Sequence, residues 1–366
     1  MEPHDKKITV PDRKKSSQGR YLIESPEDAA GRLMMIGWEG QDSGEIRELI
    51  DEFRPGGLVF FRRNYPNRLK FAKPGLGWRL DLRAPGFIGE ILTMIQKYAQ
   101  KILGRSIIIA VDQEGGLVRR LPEPFFQLPS AREMGMLEIV ETRRLAERAG
   151  REMRASGFNL NLAPVLDLDS LPGGYIGSRS FGVEPERVIS HAKAFMGGLL
   201  AGGMLACGKH FPGLGGAVLD PHERIPEISW DETKMATAMA VFQALVEVGL
   251  PAIMTTHARY PALDPDHIAT FSGQIVGKLR REIGFNGLLL TDDLEMGAIV
   301  GEQEPGRAAV KAVLVGHDLV LVCRKIEVVR AVYRALLASI ASNQITKGHL
   351  MESGLRYWRM LDQLNV

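Results

Sequence analysis

Eight short apolar runs recur along this chain, and none shows the alternation of a half-buried strand. They are "RLMMIGWEG" (32–40), "GGLVFF" (56–61), "SIIIAVD" (106–112), "FNLNLAPVLDLD" (158–169), "MLACGKHF" (204–211), "PAIMTTHA" (251–258), "GLLLTDD" (287–293) and "DLVLVC" (318–323). Runs that are apolar almost throughout suit parallel strands with both faces covered. Helical spacing fills the intervals. "SGEIRELIDEF" puts Ile46, Leu49, Ile50 and Phe53 on one face behind Ser43, and "FIGEILTMIQKYAQKIL" does the same with Ile88, Ile91, Leu92 and Ile95. "SGQIVGKLRREIG" starts at Ser272 and stops at Gly284. Gly104, Gly157, Gly203, Gly249 and Gly316 stand at the other helix-to-strand junctions, where a left-handed cap is expected. Eight β-then-α units without a hairpin signature predict an α/β fold, a single-domain (β/α)₈ TIM-type barrel. An open doubly wound sheet is the competing arrangement.

Length and charge fit that reading. The 366 residues are 45% hydrophobic and 25% charged, and such barrels run to about 250 residues or more as one unit. A formal charge of +2 implies no nucleic-acid partner. Cys207 and Cys323 each sit in an apolar run and read as reduced core thiols. No apolar stretch approaches the ~18 residues of a membrane span, and the polar, basic start, residues 1–20, reads as a disordered tail without the apolar core of a signal peptide. A cytoplasmic protein is the expectation. Residues 21–366 are assigned to the barrel. Within them a Pro-, Gly- and Arg-rich stretch at about 64–86 has no periodicity and reads as a loop inserted at the barrel mouth. Two amphipathic stretches, 326–343 and 348–364, end the chain.

In barrels of this class chemistry sits at the C-terminal ends of the strands. Here those ends carry Asp112, Asp167 and Asp169, Lys209 and His210, His257, and Asp292 and Asp293. Asp167 and Asp293 read as helix caps or supports, and His257 reads equally as a hydrogen-bonded core histidine or a site residue. Together the set reads as a polar cleft. Zinc ligation by His210, His257 and Asp292 finds no H-x-H, H-E-x-x-H or paired-Cys spacing, and Lys209 would repel the cation, so no metal and no cofactor is expected. Neither a G-x-S-x-G elbow nor a phosphate-binding P-loop occurs. Acid/base and nucleophilic work by carboxylate and imidazole remains, and glycosidic cleavage needs that pair.

At these residues the sequence resembles the family-3 glycoside hydrolases, and within them the single-domain bacterial β-N-acetylglucosaminidases of cell-wall recycling. The resemblance rests on "AVDQEGGLVRRL" (110–121), "NLAPVLDLD" (161–169), "IGSRSFG" (176–182), "GKHFPGLGGAVLDPH" (208–222) and "GFNGLLLTDDLEMGA" (284–298), in that order. It implies a small carbohydrate partner, an N-acetylglucosaminide, and a retaining exo-acting hydrolase. Asp292 matches the nucleophile, His222 the acid/base and Asp220 its dyad partner. Asp112, Arg179, Lys209 and His210 match positions that hold the terminal sugar, with Arg120 a weaker candidate for the same shell. Asp220 and His222 are expected on a glycine-rich loop that closes over substrate. The chain departs from the pattern at Leu214, where the family has His or Thr, and at Pro221, where it has Ser or Thr. A β-glucosidase, a β-glycoside phosphorylase and a silent sugar-binding barrel are the alternatives, with a metal hydrolase last. Oligomeric state and aglycone are not readable from the sequence.

Overall fold

The computed structural model describes residues 25–40, 43–64, 85–218, 224–300 and 303–364. The polar tail, most of the 64–86 insertion, Pro221 and the Asp220–His222 dyad lie outside the described residues.

All eight apolar runs contain a strand of one closed parallel barrel: β1 (Met34–Ile36), β2 (Gly57–Phe60), β3 (Ile108–Val111), β4 (Leu160–Asn161), β5 (Leu205–Phe211), β6 (Ala252–Thr255), β7 (Leu288–Asp293) and β8 (Leu319–Val322). Each strand pairs with its sequence neighbours, and β1 closes the ring against β8 through Met34–Val320 and Ile36–Val322. An open sheet is therefore excluded. Helices return the chain between strands, among them Ser43–Phe53, Pro85–Leu103, Ile139–Ala155, Pro185–Ala201, Glu232–Val246 and Pro305–Val315. The segment after Ser272 begins as a helix, Gly273–Gly277, with the Ser272 hydroxyl capping Ile275 N at 3.0 Å, then widens to a π-turn at Lys278–Glu282. The five junction glycines all adopt positive φ, between 67° and 117°, as left-handed caps do.

Both faces of each strand are buried, which explains the missing alternation in the sequence. One set of residues points into the barrel: Ile108 and Ala110, Leu205 and Cys207, Ala252 and Met254, Leu288 and Leu290, Leu319 and Leu321. The intervening set, such as Ile109, Val111, Ala206, Ile253, Leu289 and Val320, packs against the helices. The last helix, Lys347–Gln363, stoppers the N-terminal end of the barrel with Tyr357, Met360 and Leu361, and Tyr357 donates to Gly56 O at 2.7 Å. With that end filled, the opposite mouth is where polar groups gather. Among the described residues no helix is long and apolar enough to cross a membrane.

Candidate active site

Strand parity carries the inward set one step beyond the apolar layers. Two residues after Ala110 is Asp112; two after Cys207 is Lys209; two after Leu290 is Asp292; two after Leu321 is Cys323; two after Val59 is Phe61. All five line one cavity of about 360 Å³ at the C-terminal mouth, together with Glu114, Arg120, Tyr175, Arg179, His210 and Asp293. Every described residue expected to contact sugar or act as nucleophile is in that lining.

Charge complementarity ties the floor together. Lys209 Nζ lies 2.6 Å from Asp112 Oδ1 and 2.7 Å from Glu114 Oε1, and Arg179 grips Glu114 through two bonds of 2.9 Å. Burial alone would raise the Glu114 carboxyl, but Arg179 and Lys209 reverse this and hold it well below the carboxylate range. Lys209, despite burial, is held above the lysine range by Asp112 and Glu114. The hairpin carrying Glu114, Gln113–Gly115 against Val118–Arg119, is welded to β4 by two 3.0 Å bonds between the Gln113 backbone and the Asn161 amide. Glu114 went unassigned from sequence, although it shares the parity of Asp112. Arg179 arrives on a short 3₁₀ turn, Gly177–Arg179, with its guanidinium carbon 5.3 Å from the Tyr175 ring centre.

His210 has outward parity and reaches the cavity because the β5–β6 register shifts between Lys209 and Phe211, where the Lys209–His210 peptide is cis. Asp167 fixes its orientation. Oδ2 accepts from His210 Nδ1 at 2.7 Å, and Oδ1 accepts from Leu214 N at 2.6 Å. The support reading of Asp167 thus holds. Leu214, 1% exposed, sits in the apolar core, so the departure there places no apolar side chain in the cavity, and its backbone N–H still serves Asp167. Asp169 is directed elsewhere: its carboxylate pairs with Arg132, and it is absent from the cavity lining.

Asp292 is the penultimate residue of β7, with Oδ1 accepting from Asp293 N at 2.8 Å. Burial would raise its carboxyl, but the imidazoles of His257 and His210, the Asp293 N–H and Lys209 outweigh it, leaving the group below its usual range and ionised at neutral pH. Asp293 is opposite in character. Its Oδ1 accepts from Glu295 N at 3.0 Å, as a turn-capping aspartate does, while its carboxyl lines the cavity. Burial, with the charges of Glu295 and Asp292, pushes it up to about 7. Two adjacent carboxyls with separated proton affinities are the pairing that acid/base sites use.

The rim is cationic. Arg63 packs its guanidinium 4.2 Å from the Phe61 ring centre and donates to the carbonyls of Trp38, at 2.9 Å, and Cys323. Arg62 and Arg324 also line the mouth. Arg120 stands 5.9 Å over the same ring, and its buried Nε has no hydrogen-bond partner among the described residues. Sequence reasoning missed Phe61, Arg62 and Arg63, whose only signal was their place after β2. His257 is buried and does not line the cavity.

A barrel whose sealed floor places an ionised carboxylate beside a fixed set of charged side chains is built as a glycoside hydrolase. Residues 27–360 match the family model described as the glycosyl hydrolase family 3 N-terminal domain. The chain belongs to glycosyl hydrolase family 3. It is 34% identical over 292 residues to a Vibrio cholerae serotype O1 (strain M66-2) protein named beta-hexosaminidase, covering 78% of this chain and 80% of that one. It is 36% identical over 318 residues to an Alkalilimnicola ehrlichii protein of the same name, covering 83% and 84%. Among solved structures, the family-3 beta-N-acetylglucosaminidase of Paenibacillus sp. str. FPU-7 superposes with a TM-score of 0.87 at 31% identity. That match covers 94% of this chain, which spans 63% of the length of the Paenibacillus enzyme.

Proposed function

We propose that the protein is a retaining, exo-acting β-N-acetylglucosaminidase that removes terminal N-acetylglucosamine from small glycosides of the cell-wall muropeptide type. The observation that carries this reading is the common lining of one cavity by Asp112, Arg179, Lys209, His210 and Asp292. Two further supports are the beta-hexosaminidase names of the relatives and the resemblance of the "GKHFPGLGGAVLDPH" segment to the family's acid/base loop. A cytoplasmic site of action belongs to the same proposal.

In the proposed mechanism Asp292 attacks the anomeric carbon as the bond to the leaving oxygen breaks, and protonated His222 delivers its proton to that oxygen. A glycosyl ester on Asp292 results. Water then attacks the anomeric carbon, His222 takes its proton, and the ester electrons return to Asp292. Lys209, Asp112 and Arg179 hold the sugar hydroxyls so that the carboxylate meets the ring from one face. Asp220 orients the His222 imidazole and favours its protonated form. Arg120, with an uncommitted buried Nε, is assigned to the same shell.

Asp292→Ala is expected to lower turnover of an aryl β-N-acetylglucosaminide by about 10³-fold or more. Turnover near the wild-type level would overturn the assignment. A panel of nitrophenyl glycosides assayed with and without phosphate separates hydrolysis of N-acetylglucosaminides from glucosidase and phosphorylase action.

A further inference from the structure

His257 is fully buried, and both of its ring nitrogens are committed. Nε2 lies 3.0 Å from the main-chain oxygen of Asp293, and Nδ1 lies 2.7 Å from Thr270 Oγ1. A carbonyl oxygen only accepts, so Nε2 carries hydrogen.

The state of Nδ1 follows from the buried hydroxyls behind it. His317 Nδ1 lies 3.0 Å from Ala312 O and therefore carries hydrogen, and burial keeps this imidazole neutral, its pKa pushed down to about 3. His317 Nε2 is then a bare lone pair that takes the Thr255 hydroxyl proton at 2.9 Å. Thr255 can only accept from Thr270, and at 3.5 Å it is the most distant partner available. Thr270 has one proton, and the Thr256 carbonyl oxygen lies 3.0 Å away. Among the described residues no other group donates to that oxygen. A buried carbonyl left unpaired is costly, so the Thr270 proton goes there. Thr270 therefore meets Nδ1 as an acceptor, and Nδ1 carries hydrogen too.

We infer that His257 is held as an imidazolium and serves as a positioning residue, fixing the Asp293 carbonyl and supplying the positive charge that keeps neighbouring Asp292 ionised. This role rests on reading Asp292 as the nucleophile. A buried cation requires a counter-charge, and the role is assigned to Asp292, the residue preceding the Asp293 whose carbonyl His257 holds at 3.0 Å. Among the described residues the other ionisable groups around the pair are Asp293 on β7, Cys207, Lys209 and His210 on β5, Cys323 just after β8, and neutral His317 just before it. Among the positive influences on the Asp292 carboxyl, that of His257 is the largest. The charge acts on both halves of the reaction. Forming the ester removes the anion and leaves the imidazolium uncompensated. Breaking the bond between the anomeric carbon and Asp292 restores the carboxylate beside its cation, so release of the sugar is favoured.

The test is nitrogen-15 NMR of the full chain labelled at histidine, combined with carbon-13 titration of the Asp292 carboxyl. His257 is expected to show two ring N–H groups throughout about pH 5 to 8. His257→Gln keeps an N–H donor but no charge. It is expected to raise the Asp292 titration by about one unit or more, and to move the acid limb of kcat/KM to higher pH by the same amount. Thr270→Val should reproduce that shift and Thr270→Ser should restore wild-type behaviour. A neutral, single-tautomer His257, or a Gln variant whose acid limb coincides with the wild type, overturns the inference. Turnover surviving Asp292→Ala, with both protons present on His257 of the wild-type chain, would remove the nucleophile and with it this role.

Discussion

Lys209 reaches across the barrel mouth to place its ammonium 2.6 Å from the carboxylate of Asp112, with only 4% of its side chain exposed. The same ammonium meets Glu114. Removing it in Lys209→Met leaves the Asp112 carboxylate without its cation and Glu114 with Arg179 alone. A loss of about 3–5 kcal/mol of stability is expected, since breaking a buried ion pair strands its partner. Urea denaturation of the variant checks this, and kcat/KM should fall in parallel if Lys209 holds a sugar hydroxyl as proposed.

Asp167 accepts from three N–H groups, those of His210 Nδ1, His210 N and Leu214 N. Asp167→Asn turns one acceptor oxygen into a donor facing another donor. The His210 ring then loses its set orientation, and kcat/KM should fall about 10- to 100-fold. Steady-state kinetics measures it.

Gly215 lies where a Cβ would approach Leu168 O to 1.7 Å, a contact that only backbone movement relieves. Gly215→Ala is expected to cost about 1–3 kcal/mol and to pull Leu214 N from Asp167. Thermal unfolding and kinetics should move together in this variant. Unchanged kinetics would mean that the segment adjusts without touching His210.

Asp293 sets a pH signature. Its carboxyl is raised from an ordinary 3.8 to about 7, so between these values the folded chain holds a proton that the unfolded chain has lost. Stability from this group is therefore full below its unfolded value and declines as pH rises through about 7. Asp292, held low, works the other way: its contribution is present above its ordinary value and fades only as pH falls through its folded value. Asp293→Asn should flatten the decline of the urea midpoint toward neutral pH. A variant with the same slope as the wild type would contradict this.

How much of this was legible in the sequence depends on the residue. The barrel followed from eight apolar runs, because strands covered on both faces cannot alternate. Asp112, Lys209 and Asp292 were readable as strand-end residues, and counting by twos from the apolar layers shows why all three face inward. Glu114 obeys the same parity, but its role depends on meeting Arg179 from a loop 65 positions away, which local pattern does not encode. His210 breaks parity through a register shift, and Arg63 works through main-chain carbonyls of distant segments, so neither placement has a periodic signal. His257 read equally as core or site. It is buried like the first and bonded to the end of β7 like the second.

The most direct test of the account is to trap the glycosyl-enzyme with a slow, mechanism-based N-acetylglucosamine analogue and map the labelled peptide by mass spectrometry. The account predicts one added sugar, carried on the carboxylate of Asp292. A label on any other residue, or turnover of the analogue with inverted anomeric configuration and no adduct, would contradict it.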